Sequence, residues 1–240
     1  MIRAEVTRRL GSVDWLTSQA TDAWLSVWHR AFARSEFAQI YRCVRPYTMS
    51  GPSRLHALYG AVRGVLERDV PGAVVECGTA RGGSAALMGL ALARARARRP
   101  LWVFDTFDGI PPPTDGDPDF HIARSYTGHF RGELAEVRAL FDRLGIGEDV
   151  RLVKGLFQDT LPAADVGPIA VLHVDGDWYE SVKVCLEQLY ERVSPGGIVQ
   201  IDDYGHWDGA RRATDEFLAA LGLDVELRYL DYTGRQFTRA

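Results

Sequence analysis

The chain has 240 residues, 46% of them apolar and 25% charged, which is the composition of an ordinary globular domain. Its formal net charge of −4 leaves no basic surplus, which argues against nucleic acid or an anionic membrane as a partner. Because no apolar run reaches about 18 residues, no signal-peptide core is evident and the three cysteines are widely spaced, we expect a cytoplasmic protein without a membrane span or disulfides.

Two amphipathic helices are predicted ahead of residue 71. Residues 14–34 place apolar side chains, three tryptophans among them, at helical spacing, and we expect them to pack on the chain's own core rather than on a partner chain, which is the alternative. Residues 53–68 show the same spacing, with Ser53 as the predicted N-cap. The chain accordingly divides into an N-terminal helical extension, 1–70, and a core, 71–240, within a single domain overall.

From residue 72 onward, short apolar strands alternate with helices. The predicted strands cover 73–77, 101–105, 150–155, 169–175 and 197–202, with two more inside 225–238. The predicted helices cover 84–99, 132–145 with Gly145 as its stop, 179–193 ended by Pro195, and 210–222. Solidly apolar strands that alternate with helices indicate an α/β fold, in which a mostly parallel sheet is covered on both faces. Ligands bind such sheets at the carboxyl ends of the strands.

A long irregular segment, 106–131, follows the second predicted strand. It contains four prolines and many turn-forming residues. A loop of this length in a compact domain is usually functional or disordered. Because it starts at the carboxyl end of a strand, we expect it to overhang the binding site.

A glycine-rich turn, VECGTARGGS, joins the first strand of the core to a helix. Gly78, Gly82 and Gly83 lack a β-carbon, so a ligand can approach the backbone, and the N-terminus of the following helix favours an anionic group. The spacing differs from the G-x-G-x-x-G of dinucleotide-binding enzymes. Asp105, which lies 22 residues beyond Gly83, has the position of an acid that holds ribose hydroxyls. An adenosine-containing ligand is therefore favoured over a plain strand-to-helix turn.

Four carboxylates follow two strands of the predicted sheet. Asp175 ends one strand and is followed by Asp177, and the next strand ends in Asp202 and Asp203. If the two strands are neighbours, these acids converge, and bare carboxylates that close repel one another. A hard divalent cation removes the repulsion, and oxygen ligands of this kind suit Mg²⁺. The alternative is that they are unrelated, solvated loop acids.

Taken together, these motifs resemble the macrocin O-methyltransferase family. Its members are S-adenosyl-L-methionine- and Mg²⁺-dependent methyltransferases that act on sugar hydroxyls of antibiotics. The segments that carry the resemblance are YTMSGPSRL, VVECGTARGGS, LWVFDTFDGIP, KGLFQDTLP, VDGDWYES and SPGGIVQIDDYGHWDGARRATDEF. The resemblance implies a class I methyltransferase (Rossmann-like) fold, a seven-stranded, mostly parallel sheet with one reversed strand at the edge. Helices would cover both faces, and the N-terminal helical segment would form a lid.

The resemblance also implies roles for individual residues. Asp175, Asp202 and Asp203 would ligate Mg²⁺, Asp177 would be the general base, and Asp175 would also serve catalysis. The residues implied to hold S-adenosyl-L-methionine are Tyr47, Thr48 and Met49 in a lid, Glu76, Gly78, Thr79, Gly82, Gly83 and Ser84 along its methionine part, Asp105 and Thr106 at its ribose, Gln158 and Asp159 at its adenine, and Asp175.

The implied acceptor is a small-molecule glycoside, two adjacent hydroxyls of which would chelate the metal. Three alternatives stay open: the same chemistry on a catechol or another non-sugar vicinal diol, a nicotinamide oxidoreductase, and a non-catalytic methyltransferase-like binding protein. The absent G-x-G-x-x-G and the acidic cluster argue against the oxidoreductase. The intact set of four acids argues against a degenerate protein. Family members are commonly oligomeric, so a homo-oligomer stays open as well.

Overall fold

The computed structural model of the chain describes residues 35–114, 116–118, 120–222 and 224–240. The helix predicted over 14–34 lies outside this part of the chain. Within it, no helix is both long enough and apolar enough to cross a bilayer.

Strands and helices alternate through the core as predicted. The helices are α1 (Glu36–Val44), α2 (Pro52–Glu67), α3 (Gly83–Arg94), α4 (Phe120–Ala123), α5 (Leu134–Leu144), α6 (Phe157–Thr160), α7 (Tyr179–Leu189) and α8 (Asp208–Ala220). The strands are β1 (Ala73–Cys77), β2 (Leu101–Asp105), β3 (Val150–Lys154), β4 (Ile169–Val174), β5 (Val193–Ile201), β6 (Arg228–Tyr229) and β7 (Arg235–Thr238).

The seven strands form one sheet in the order β3-β2-β1-β4-β5-β7-β6. Strands β1 to β5 are parallel, and β7 is antiparallel to both of its neighbours. The prediction of a reversed strand at the edge is wrong in its position, because β7 lies one strand in and the two-residue β6 forms the edge. The reason is burial: Phe237 of β7 is buried beside β5, whereas Arg228 and Tyr229 of β6 are exposed.

Helices cover both faces of the sheet, and the sequence of β1 shows how. Val74 packs in the apolar cluster that includes α1, α2, α3 and α5, while Val75 and Cys77 pack in the opposite cluster, with α7 and α8. All five residues of β1 are buried, as expected for a parallel strand covered on both sides. With both faces of the sheet covered by helices, the carboxyl ends of the strands are left as a place for a binding site.

The start of α2 differs from the prediction. The helix begins at Pro52 and its N-cap is Gly51, so the N-cap predicted at Ser53 is wrong. Proline is favoured at the first helical position, because its missing N–H would have no partner there and its φ angle is already helical.

Two helices are shorter than predicted. Helix α3 ends at Arg94 rather than at 99, since the backbone of Arg96 has a positive φ of 54° that no helix accommodates. Helix α7 ends at Leu189, and Pro195, predicted to end it, lies within β5. The pairing of β4 with β5 shifts register at this point. Such a bulge tolerates a proline inside a strand.

Candidate active site

A cavity opens where β1, β2, β4 and β5 end, beneath the segment 106–131. Most of the predicted site residues line it: Thr48, Met49, Gly78, Thr79, Ser84, Asp105, Thr106, Gln158, Asp175, Asp177, Asp202 and Asp203. Ile110, Pro111 and Phe130 of the long segment form part of its wall, so the prediction that this segment overhangs the site is confirmed.

The remaining predicted site residues lie around the cavity rather than in its lining. Tyr47 lines an adjoining pocket that also includes Met49 and Phe130. Asp159 lies on α6, next to the lining residue Gln158. These residues stay predictions as cofactor contacts.

The glycines of the turn serve different neighbours. A β-carbon on Gly83 would lie 2.6 Å from the carbonyl oxygen of Tyr47, and one on Gly82 would lie 3.0 Å from Val137 of α5. Gly78 has a φ of 90°, and a β-carbon there would overlap the carbonyl oxygen of Asp175. The absence of a side chain at Gly82 and Gly83 therefore lets Val137 and Tyr47 pack against the turn. At Gly78 it lets the turn lie directly against the end of β4.

Hydrogen bonds that continue past the strands hold these chain ends in line. The amide of Gly78 donates to the carbonyl of Phe104 at 2.8 Å, and the amide of Asp175 donates to that of Cys77 at 2.8 Å. The amide of Asp202 donates in turn to the carbonyl of Val174 at 2.9 Å. The glycine-rich turn and the acidic tips thus belong to one rigid edge.

Asp105 ties the glycine-rich turn to β2. One carboxylate oxygen accepts the amides of Thr79 at 2.7 Å and Ala80 at 3.1 Å, and the other accepts that of Phe107 at 2.6 Å. Burial raises the pKa of this carboxyl group, and the backbone amides oppose the shift. The ribose contact of Asp105 stays a prediction, and the hydrogen bonds show that this carboxylate fixes the shape of the turn.

The four predicted acids converge, because β4 and β5 are neighbours. Burial, and then repulsion between the carboxylates, raises the pKa of Asp175 and of Asp177 well above the ordinary value, and that of Asp203 to about 6. Asp202 behaves differently: burial opposes the shift, but Arg54 and His173 lower its pKa to about 2. In the metal-free chain, Asp202 is therefore the acid whose ionised form the neighbouring side chains stabilise most, and Asp175, Asp177 and Asp203 hold their protons more tightly than ordinary carboxyl groups.

Arg54 is a site residue that sequence reasoning missed. Its guanidinium pairs with Asp202 and, at 3.0 Å, with Asp231 in the turn between β6 and β7. Ser50 donates a second hydrogen bond to the same oxygen of Asp202, at 3.3 Å. The only sequence signal was an arginine in the first turn of a helix that packs on the sheet, and nothing there identified its partners.

His173 is a second missed residue, and it belongs to a buried polar row. Glu76, His173, Gln200 and Gln236 are in register on β1, β4, β5 and β7, and all four are buried. The Nδ1 atom of His173 lies 2.9 Å from Oε1 of Glu76, and its Nε2 atom lies 3.3 Å from Oδ1 of Asp202. Burial opposes protonation, but the two carboxylates raise the pKa of His173 to about 10. The available signal was a polar residue interrupting each of these apolar strands.

The donor set fits a hard divalent cation. Asp175, Asp202 and Asp203 all line the cavity, and carboxylate oxygens are the ligands that Mg²⁺ prefers. Among the described residues, the side chains whose possible ligand atoms all lie within 4.8 Å of one another are those of Asp175, Asp202 and His173, a group that does not include Asp203. Because the pKa of His173 is raised to about 10, its ring is protonated at neutral pH and has no free lone pair for a metal. Asp203 as a metal ligand stays a prediction.

Hydrogen bonds join described residues of the long segment to Trp178 and Tyr179, directly after Asp177. The Oδ1 atom of Asp117 accepts the backbone amide of Tyr179, the first residue of α7, at 2.6 Å. The indole of Trp178 donates to the carbonyl oxygen of Pro111 at 2.7 Å. This segment is thus a fixed wall of the cavity on the side of Asp177.

Comparisons with known proteins agree with this geometry. Residues 28–239 match the sequence model of a family described as macrocin-O-methyltransferase (TylF). An 8-demethyl-8-(2,3-dimethoxy-alpha-L-rhamnosyl)-tetracenomycin-C 4'-O-methyltransferase of Streptomyces olivaceus is 40% identical over 196 residues, which span 78% of this chain and 74% of the relative.

Two further comparisons extend the match. A demethyldecarbamoylnovobiocin O-methyltransferase of Streptomyces niveus is 38% identical over 200 residues, 80% of this chain and 76% of the relative. The solved structure of the O-methyltransferase NovP superposes with a TM-score of 0.77 at 37% identity, covering 81% of this chain and 82% of that one.

Proposed function

Because the chain belongs to the macrocin O-methyltransferase family, we propose that it transfers the methyl group of S-adenosyl-L-methionine to a sugar hydroxyl of an antibiotic-type glycoside, with Mg²⁺ at the acidic cluster. The observation that carries the proposal is the shared cavity of the glycine-rich turn and the four carboxylates. A cofactor and an acceptor held there would meet at one edge of the sheet.

The cofactor would lie along the turn. Gly78 and Thr79 would border its methionine part, Asp105 and Thr106 its ribose, and Gln158 its adenine, all of them in the lining of the cavity. Thr48 and Met49 would cover it. Because Met49 is 59% exposed, it is free to pack on a bound molecule without first breaking a core contact.

The metal would be held by Asp175, Asp202 and Asp203. When bound, S-adenosyl-L-methionine supplies an electrophilic methyl group and Mg²⁺ supplies a Lewis acid for an acceptor oxygen. Both oxygens of Asp202 have partners in this structure, His173 at Oδ1 and Arg54 at Oδ2, so a cation bound by Asp202 would compete with these contacts. If Arg54 were displaced, its guanidinium would keep Asp231 as a partner.

Asp177 would accept the proton of the acceptor hydroxyl. It lines the cavity beside the proposed metal ligands, and in the metal-free chain burial and Asp203 raise the pKa of its carboxyl group well above the ordinary value. A bound cation would lower this pKa and favour the ionised carboxylate that a general base requires. A sugar hydroxyl is a far weaker acid than the carboxyl group, so the metal would carry much of the acidification.

The acceptor would enter between the acidic cluster and the apolar wall of Ile110, Pro111 and Phe130. A sugar with two adjacent hydroxyls suits this arrangement, since one side of it is polar and chelating and the other is apolar. The relatives named above act, by their names, on a rhamnosyl-tetracenomycin and a novobiocin precursor. A cytoplasmic location and a homo-oligomer stay predictions.

Calorimetric titration of S-adenosyl-L-methionine, followed by an assay for methyl transfer to rhamnosides with free vicinal hydroxyls, tests the proposal. We expect cofactor binding with and without Mg²⁺, and a methylated glycoside only with Mg²⁺. Equal methylation in excess chelator would refute the metal, and transfer only to a simple catechol would refute the sugar. Failure to bind the cofactor would overturn the assignment as a whole.

A further inference from the structure

We propose that Trp207 is a positioning residue for methyl transfer: its indole N–H holds one oxygen of Asp177, so that the other oxygen faces the acceptor hydroxyl. The inference rests on the proposed function, in which Asp177 takes the proton. Trp207 is the residue just before α8, and nothing in its sequence context distinguishes it from a core aromatic residue.

The contact is a direct hydrogen bond. The Nε1 atom of Trp207 lies 3.1 Å from Oδ1 of Asp177, and the indole is 7% exposed. An indole N–H only donates, so it cannot compete for the proton that Asp177 removes. The bond therefore divides the carboxylate into a held oxygen, Oδ1, and a working oxygen, Oδ2.

The backbone of Asp177 is fixed as well. Its φ of 57° lies in the left-handed region, which is unusual for a residue with a side chain. Its amide donates to Oδ2 of Asp203 at 3.0 Å, which ties it to β5. With the backbone held in this way, the two side-chain torsions of Asp177 are the freedoms that remain, and the second, which turns the carboxylate, is intrinsically broad. The hydrogen bond from Trp207 to Oδ1 restrains both.

The indole itself cannot swing away. Its ring packs edge-on against Trp178 at a centroid distance of 4.9 Å, His206 at 4.7 Å and Tyr126 at 5.5 Å. The backbone amide of Trp207 also donates to the carbonyl oxygen of Asp203 at 3.0 Å. The direction of the indole N–H is therefore set by packing before any substrate arrives, which is the preorganisation that orientation effects require.

A Trp207→Phe substitution separates the hydrogen bond from the packing, because phenylalanine keeps an aromatic ring in the cluster and lacks the N–H. We expect kcat to fall roughly tenfold, a fraction of what a general base contributes. The acceptor KM and the affinity for S-adenosyl-L-methionine should change less than about twofold, because no binding contact is lost.

Trp178→Phe is the matched control. It removes an indole N–H from the same aromatic cluster, but this one donates to Pro111 in the long segment rather than to Asp177. We expect the control to raise the acceptor KM by loosening the wall, with kcat retained. If both substitutions change the same kinetic constant, Trp207 acts only through packing and the proposal is wrong.

A second measurement does not depend on turnover. In protein labelled with ¹⁵N at its tryptophan indoles, the signal missing from Trp207→Phe identifies Trp207. We expect this signal to shift when Asp177 is replaced by alanine, and the Trp178 signal to stay in place. An unmoved Trp207 signal overturns the positioning role. A shifted signal in a protein that methylates no glycoside would instead fault the proposed function and leave the contact standing.

Discussion

Gly78 and Asp175 touch through their backbones, at the point where the glycine-rich turn of β1 passes the end of β4. No side chain fits between them, because a β-carbon on Gly78 would overlap the carbonyl oxygen of Asp175. The proposed cofactor site and the proposed metal site are therefore separated only by the contacting backbones of Gly78 and Asp175.

A Gly78→Ala substitution is expected to damage both sites. The backbone must leave its φ of 90° or push Asp175 aside, and strain of this kind costs at least about 1–3 kcal/mol of unfolding free energy. Cofactor and Mg²⁺ affinities, measured by calorimetry, should fall together. Gly60→Ala is the control, since Gly60 lies inside α2 with open space around its β-carbon position and should gain about 0.5–1 kcal/mol. Loss of one affinity without the other would contradict a dependence of both sites on this backbone contact.

An Asp177→Asn substitution should stop turnover while the ligands still bind. The amide keeps the size and the contact with Trp207 but cannot take a proton, so kcat should fall by about 10²–10⁴. Binding of the cofactor and of Mg²⁺, measured on the same preparation, should stay near wild type. Unchanged turnover in this variant would remove Asp177 from the base role.

The metal-free protein should lose stability as the pH rises from about 4 to about 6. The pKa of Asp203 is about 6 in the folded chain, above its ordinary value, because of burial and then Asp202. In this range the folded state thus binds a proton that the unfolded state releases. The resulting contribution to the free energy of unfolding is complete below about pH 4 and is lost above about pH 6. For Asp203 alone this amounts to roughly 2–3 kcal/mol. Asp175 and Asp177 shift in the same direction.

Urea unfolding in excess chelator measures this dependence. Asp203→Asn should flatten the curve between about pH 4 and about pH 6, because the variant has no charge to develop at that position. Added Mg²⁺ should stabilise the wild type more at neutral than at acidic pH, since the ion binds the ionised carboxylates. A metal-free wild type that gains stability over this range would show that the acids are not held near one another.

A His173→Gln substitution should weaken metal binding from behind the site. Glutamine can hydrogen-bond one carboxylate of the Glu76–Asp202 pair but not both, so one buried carboxylate loses its partner. The unfolding free energy should fall by about 3–5 kcal/mol, as when other buried ion pairs are broken. Mn²⁺ binding, followed by its paramagnetic signal, should weaken by about tenfold or more, as for other residues that orient metal ligands. Wild-type Mn²⁺ affinity in a folded variant would show that His173 does not orient Asp202.

The convergence of the four acids could be predicted from the sequence, since parallel strands all end at the same edge of a sheet. Arg54, His173 and Trp207 could not. A periodic pattern shows which face of an element is buried, but not which side chain of another element lies opposite. The role of each of the three depends on a partner in a different segment of the chain.

The prediction that the reversed strand lies at the edge of the sheet was wrong for a related reason. Two strands were predictable within 225–238, but their order in the sheet depends on which of them buries more surface against β5. That choice depends on Phe237, a single buried ring in a four-residue strand.

The polar row of Glu76, His173, Gln200 and Gln236 also specifies the register of the strands in the sheet. The rest of β1, of β4 and of the second half of β5 is apolar, so sliding one strand past its neighbour would leave apolar contacts nearly as favourable. A slip of one residue would turn His173 to the opposite, apolar face of the sheet. Glu76 would then be buried without its hydrogen-bond partner. The row makes every wrong alignment costly, so the same four residues that support the site also specify which sheet the chain builds.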